Sequence, residues 1–437
     1  MKAVAKYRRI EFSGVTKTEL ASLRYALTVK VPVFQRDWQG ARIGYEDRMY
    51  LFHESGTYLC PRCFSDRVSY LTGIEETPPE SVPLREIDLR VNLLEFEKKV
   101  ALDALEKKVA LIVGPTSSGK TYVAAAIASA VDAPFLYLAH RRDIVLQTYQ
   151  RFKEWLKRDV GLAAGSDYEE QESMVMTFQT AAKYPDLKRF KVVLVDEAHH
   201  CPALTFCRVL CLCDAPLFFG FTATIKGRSD RLDKLITSFF DYNIIRTLTY
   251  SQARELKLVC PCRFILVRYM SSCPEPKTNS PPVIERRFIV NDTMRNRIVV
   301  ELVKFAQQRG GVTLVIVKRK RHGRLLCNVL KAHYIDGDSS RETREKLRTL
   351  KEGVIVATQV AEEGLDNPNI NSIVNAAAGR SPIVSEQRVG RGLRYRPGKE
   401  LWYFDIYDEH PLLVSQSKAR YRVYKKLGEI DMLEVTK

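Results

Sequence analysis

Hydrophobic and polar positions follow two regimes along the chain. Before residue 88 the apolar residues sit in short alternating stretches, such as Arg48 to Phe52 and Thr57 to Leu59, separated by glycine, proline and charge. That is the period-two pattern of half-buried strands. From Val91 onward short, uninterrupted apolar runs alternate with helix-forming segments, as expected of parallel strands buried on both faces. The runs predict strands at Val109–Val113, Phe135–Leu138, Ser173–Met176, Val192–Val195 and Leu217–Phe221. A second series follows at Thr313–Val317, Val354–Ala357, Ser372–Asn375 and Leu401–Phe404. The expected fold class is α/β, with two tandem parallel-sheet lobes at 89–248 and 249–437 and a small strand-rich accessory domain at 1–88. Polar, proline-rich Glu75 to Pro83 reads as the linker, and Ser271 through Pro282 as an exposed loop.

A length of 437 residues supports more than one core. Hydrophobic and charged contents of 45% and 28% disfavour disorder and membrane classes. No window approaches about 18 uninterrupted apolar residues, and Met1 to Arg9 lacks a signal-peptide apolar region. The expected location is the cell interior, the host cytoplasm if the chain is phage-encoded. A net charge of +17, spread along the chain, suits a polyanion-binding surface. The ten cysteines read as buried small hydrophobes. Cys60-Pro61-Arg62-Cys63 has half the ligand count of a zinc ribbon, and Cys260-Pro261-Cys262 is one residue short of completing it, so a structural turn is the preferred reading over zinc.

The candidate chemistry lies where apolar runs end. Gly114-Pro115-Thr116-Ser117-Ser118-Gly119-Lys120-Thr121 follows one run and precedes an alanine-rich helix former. Glycines at both ends let backbone N–H groups face an anion at the positive end of that helix, Lys120 can reach β/γ-phosphates, and the Thr121 hydroxyl can hold Mg²⁺. Asp196 and Glu197 close the Val192–Val195 run. A carboxylate there can hold Mg²⁺ through water, and Glu197 can orient and deprotonate an attacking water. Thr222-Ala223-Thr224 offers hydroxyls at another strand end. Lys318 to Arg324 is a basic cluster opening a helix, electrostatically poor for that helix unless it meets an external phosphate backbone.

The order of the cradle, Asp196-Glu197-Ala198-His199 and Thr222-Ala223-Thr224 resembles the first RecA-like lobe of a superfamily 2 helicase with a DEAH-type acidic box. Ala139 through Gln147 resembles motif Ia, and Thr177-Phe178-Gln179 the threonine motif that touches a nucleic-acid backbone. Phe96-Glu97 departs from the aromatic–glutamine pair that reads adenine in related DNA helicases. In the second lobe, Lys318 to Arg324 corresponds to motif IV, Ala357 through Asp366 to motif V and Gln387 through Arg394 to motif VI. The resemblance implies ATP and Mg²⁺ as cofactors, with Gly364 and Asp366 near the nucleotide. It implies nucleic-acid contacts at Arg141, Arg142, Gln147, Thr177, Lys318, Arg319, Arg321 and Thr358. Gln387, Arg391 and Arg394, at i, i+4 and i+7, are expected on one helix face, with Arg391 first and Arg394 second as the guanidinium that answers transition-state charge. The motif spacing and small N-terminal domain are most similar to phage branch-migration helicases of the UvsW kind, which implies forked or branched DNA as partner. An RNA helicase and the motor subunit of a restriction or repair nuclease complex are the alternatives.

Overall fold

The computed structural model describes every residue except 38, 39, 79, 117, 226–231, 275–279, 360–364, 366 and 435–437. Two compact units result. The first comprises Met1–Val33, Tyr45–Pro115 and Gly119–Thr247, and the second is built chiefly from Leu248–Lys437.

In the first unit an eight-stranded sheet carries, in spatial order, Asp167–Glu169, Gly161–Ala164, Met174–Thr177, Phe135–Ala139, Val192–Val195, Leu217–Thr222, Val109–Val113 and Ile244–Arg246. All neighbours are parallel except the Asp167–Glu169 edge. The five predicted strands are present within a residue at either end. Their apolar runs identified them because helices cover both faces and leave no polar side to read. A five-stranded N-terminal sheet, ordered Phe52–Glu54, Thr57–Pro61, Arg9–Ser13, Lys2–Ala5 and Ile74–Glu76, lies in the same unit. Two expectations change here. Arg48 to Phe52 is split between the strands Gly40–Met49 and Phe52–Glu54, and the linker begins inside a strand, because Ile74–Glu76 pairs in parallel with Lys2–Ala5.

The N-terminal sheet and the first lobe share one core, in which Phe12, Leu23 and Phe64 join Val209, Leu210 and Phe218. Polar ties reinforce it. Arg9 Nη1 donates to Cys211 O at 2.7 Å, Tyr50 Oη to Pro202 O at 2.7 Å, and the Arg8 N–H to Asp214 Oδ1 at 2.8 Å. Cys60 and Cys63 belong to this core, whereas Cys260 and Cys262 lie in the core of the second unit. Among the described residues no group of metal-ligating side chains is assembled, and no helix is long and apolar enough to cross a membrane.

The second unit holds a seven-stranded parallel sheet ordered His333–Ile335, Gly353–Thr358, Val312–Val317, Ile370–Asn375, Leu401–Asp408, Cys262–Tyr269 and Glu429–Glu434. Each lobe thus has the RecA-like α/β arrangement. The Leu401–Asp408 strand runs four residues beyond its predicted end because its acids are buried with partners. Arg420 Nε donates to Asp405 Oδ2 at 2.6 Å, Tyr424 Oη to the same oxygen at 2.8 Å, and Arg295 Nε to Asp408 Oδ1 at 2.8 Å. Charges at Arg263 and Arg268 hid Cys262–Tyr269 from the apolar-run reading, and they are answered by Asp431 and Glu409. Pro281 and Pro282, placed in a loop by sequence, instead start the helix Pro281–Glu285, since proline suits a first helical turn.

Removing one partner of a buried ion pair leaves the other charge uncompensated. Asp405→Ala is therefore expected to destabilise the second unit by about 3–5 kcal/mol, seen as a lower denaturant midpoint for that unit. An unchanged midpoint would show that Arg420 finds its partners elsewhere.

Candidate functional site

The Val109–Val113 strand is buried throughout and delivers the chain into the loop at Gly114. The helix Lys120–Ala130 starts directly after Gly119, whose backbone is left-handed at φ 79°. Glycine adopts that conformation at little cost. A side chain also has no room there, because a Cβ on Gly119 would lie 2.1 Å from Glu97 Oε1. Glu97 is buried; its other oxygen accepts the Leu94 N–H at 2.9 Å at the start of the helix Glu95–Lys107, and burial raises its carboxyl above the usual range. The residue that departs from the expected glutamine thus forms a wall behind the cradle.

Lys120 Nζ arches over the loop and donates to Gly114 O and Pro115 O, each at 2.8 Å. The Ser118 hydroxyl is buried without a hydrogen-bond partner. An ammonium, an unspent hydroxyl and a helix N-terminus in one turn fit a phosphate chain. Thr116 lies in the loop and Thr121 in the first helical turn, while Ser117 is outside the described residues.

Asp196 and Glu197 follow the buried Val192–Val195 strand, two strands from the cradle in the sheet. The Asp196 N–H donates to Leu138 O at 2.8 Å, and Asp196 Oδ1 accepts the Glu197 N–H at 3.0 Å. Glu197 is left-handed at φ 46°, a conformation that costs a non-glycine residue roughly 1–3 kcal/mol and concentrates at functional sites. Its Oε2 lies 3.2 Å from His199 Nδ1, close enough for charge attraction, yet it is buried without a properly formed hydrogen bond. His199 Nδ1 is also 3.2 Å from Thr222 Oγ1, which donates to Thr224 O at 3.0 Å. The Thr222 hydroxyl at that strand end is therefore linked to Glu197 through His199 within one unit.

Electrostatics split the pair. Burial and then the Glu197 charge push Asp196 above the usual carboxylate range, against the pull of Lys120 and His140. Burial pushes Glu197 up as well, but the His199 contact, with Lys120 and His140, outweighs it and holds Glu197 low. Lys120 acts on both carboxylates, so cradle and acids form one electrostatic site. Glu197 is therefore held lower than Asp196, as a carboxylate that must stay ionised to orient a water requires.

Of the expected nucleic-acid contacts in this unit, Arg141 caps the helix Arg142–Trp155 and its Nε donates to His140 Nε2 at 3.2 Å. Arg142 is committed to Asp167 and to Ala164 O. Gln147 is half-buried on the same helix. Thr177 is buried and caps the helix Phe178–Ala181, accepting the Thr180 N–H at 3.1 Å. Its hydroxyl already has local work, which the motif alone did not reveal.

In the second unit Thr358 is buried at the end of its strand with an unpartnered hydroxyl, while Gly364 and Asp366 lie outside the described residues. The helix at the basic cluster runs Lys320–Leu330, with Arg319 as its cap. Lys318 and Arg319 both pair with Glu285, and Lys320 with Asp338 and Asp336. Repulsion at the helix start is thus met in part internally, by Glu285, Asp336 and Asp338. Arg321 is exposed and has no partner among the described residues.

The shared helix face of Gln387, Arg391 and Arg394 requires correction. The helix Pro382–Gly390 carries Gln387 and ends with Arg391 as its cap, whereas Arg394 pairs in an isolated bridge with Val259. The cause is packing around Gly392, where a Cβ would lie 2.3 Å from Leu401 Cδ1, together with the Cys260 N–H donating to Leu393 O at 2.8 Å. Arg391 Nε is buried without a partner.

Comparison with known proteins agrees with this arrangement. Residues 89–227 match the family described as type III restriction enzyme, res subunit, and residues 294–396 match the helicase conserved C-terminal domain. The chain belongs to the superfamily 2 helicases. It is 23% identical to a protein named as helicase 22 in the Sulfolobus islandicus filamentous virus, over 92% of this chain and 79% of that one. It is 22% identical to the DNA 3'-5' translocase XPB2 of Sulfurisphaera tokodaii, over 82% and 89%. Among solved structures, the ATP-dependent type ISP restriction-modification enzyme LlaBIII bound to DNA matches with a TM-score of 0.57 at 12% identity, covering 85% of this chain and 34% of that one, which bears on the fold alone.

Three residues of the helicase escaped the sequence reading. His140 follows the Phe135–Ala139 strand as Asp196 follows its own, a position that marks ligand chemistry in parallel sheets. His199 was visible only as part of a motif, not as the link between Glu197 and Thr222. Glu285 gave no local signal, because its partners lie 33 and 34 residues away.

Gly119→Ala is expected to disturb the start of the Lys120 helix, by steric conflict with Glu97 and by the left-handed backbone. Affinity for a fluorescent ATP analogue should fall at least tenfold. Retained affinity would show that Glu97 moves aside freely.

Proposed function

We propose that this helicase is an ATP-driven DNA translocase that remodels forked or branched DNA by strand separation or branch migration, in replication, recombination or repair. The observation that carries the reading is the single electrostatic site in which the buried pair Asp196 and Glu197 both feel Lys120, with Glu197 held low by His199, Lys120 and His140. That site suits phosphoryl transfer to water, in which positioning and charge stabilisation supply nearly all of the catalysis.

The cradle backbone and Lys120 hold the β- and γ-phosphates. Glu197 orients the attacking water and takes its proton, while His199 holds the carboxylate in place. Thr121 and Asp196 would hold Mg²⁺, which would supply positive charge to the phosphate oxygens. Arg391 is the first guanidinium proposed for transition-state charge and Arg394 the second, with Gln387 on the preceding helix. The net charge of +17 supports a polyanion as track, and the name of the Sulfurisphaera relative, a DNA translocase, supports DNA over RNA.

Lys120→Ala and Glu197→Gln are each expected to lower DNA-stimulated ATP turnover by on the order of 10²–10⁴-fold, with DNA affinity retained in a gel-shift assay. Turnover close to that of the unaltered protein would remove the assignment. Arg391→Ala should cost roughly 10³-fold or more in the same assay. ATPase stimulation by DNA and RNA of matched length separates the substrates, and equal or greater stimulation by RNA would favour an RNA helicase. Unwinding of forks and four-way junctions compared with plain duplex tests the branched-substrate reading.

A further inference from the structure

A cleft of about 260 Å³ opens in the second unit between the segment Pro281–Val290 and the start of the Lys320–Leu330 helix. Its apolar wall is Pro282, Val283 and Val290, and its polar rim is Arg286, Asn291, Arg319 and Arg321. The segment is anchored beneath: Ile284, Phe288 and Ile289 are buried with Ala378 and Leu413, and the Phe288 ring packs tilted against His410 with ring centroids 4.1 Å apart. It runs from an α-helix into a π-turn at Arg286–Val290. Such wide turns are uncommon and gather at functional sites.

The charges around the cleft are divided. Buried Glu285 takes both Lys318 and Arg319, so those cations are answered within the protein. Arg286 and Arg321 are exposed and have no partner among the described residues. Two guanidinium groups without partners among the described residues therefore flank an apolar wall. The volume falls just under the roughly 300–1,000 Å³ of sites that hold whole small molecules, which suits one planar ring system. A ring that is apolar on its faces, carries polar edges and is tethered to phosphates describes a nucleobase of a single strand. Unstacked bases are held by apolar contacts and by the planes of arginine side chains, while the guanidinium charge meets the neighbouring phosphate.

We propose that this cleft binds one nucleobase of a single-stranded nucleic acid, with Arg286 and Arg321 on the adjoining phosphates, so that the second lobe holds its track by base as well as by backbone. The proposal rests on the reading of the protein as a nucleic-acid translocase. A base held in the cleft resists sliding while the strand is gripped.

The test uses the full chain, a fluorescein-labelled 15-mer of thymidine and the same oligomer with abasic sites. The unaltered protein should prefer the thymidine strand by roughly 5- to 150-fold, the range that stacking of one base supports. Val283→Trp, which fills the cleft, should abolish that preference. Arg321→Ala should weaken binding of both strands and reduce the salt slope by about 1. A preference surviving in Val283→Trp, with the melting temperature unchanged, overturns the pocket. If that variant unfolds, the milder Val283→Ser, which makes the apolar wall polar, gives the same reading: a preference left intact overturns the pocket, and a diminished one supports it. Failure of the unaltered protein to bind either strand, or of any nucleic acid to stimulate its ATPase, overturns the translocase reading itself. Binding without any base preference, alongside stimulated ATPase, overturns only the pocket.

Discussion

A parallel strand covered by helices on both faces has no solvated side on which to carry polar groups, and that constraint arranges most of what this helicase can do. Chemistry is displaced to the strand ends. The Gly114 to Thr121 cradle and the Asp196–Glu197 pair each follow a fully buried strand and Thr222 ends another, and parallel register places those three strand ends on the same side of the sheet. Proximity of the ammonium, carboxylates and hydroxyl is thus a consequence of how the core is satisfied.

Once gathered there, the groups tune one another. Burial alone would favour protonation of both carboxylates. His199, Lys120 and His140 overcome it at Glu197, whereas Asp196 carries the residual cost of two acids side by side. A left-handed Glu197 and a left-handed Gly119 are the backbone expense of holding these positions. Glu197 tolerates its strain because the surrounding contacts determine it, and Gly119 meets its own by lacking a side chain where Glu97 stands.

The second unit balances charge differently. Arg295 and Arg420 are fully buried with Asp408 and Asp405, which fixes the Leu401–Asp408 strand against the helix Val414–Tyr424. Buried Glu285 serves the same purpose for Lys318 and Arg319, while Arg286 and Arg321 have no partner among the described residues. A basic cluster is therefore not a uniform patch. Internal partners decide which of its cations remain for a ligand.

The sequence by itself determined the α/β class, the nine principal strands and the order of the motifs, because each depends on local runs of residues: apolar stretches of strand length, glycines at fixed offsets, acids at a strand end. The three-dimensional structure alone decided the features that depend on distant partners. Asp405 and Asp408 extend a strand because arginines elsewhere bury with them, and Glu285 neutralises cations more than thirty residues downstream. Arg394 leaves the helix face expected of it because Gly392 packs on Leu401 and Leu393 pairs with Cys260. The local cap that Thr177 makes with the Thr180 N–H is likewise visible only in the fold. Local periodicity is set by the backbone and is written in neighbouring residues; the pairing of buried charges and the close approach of chain segments are set by the whole fold, and only the fold displays them.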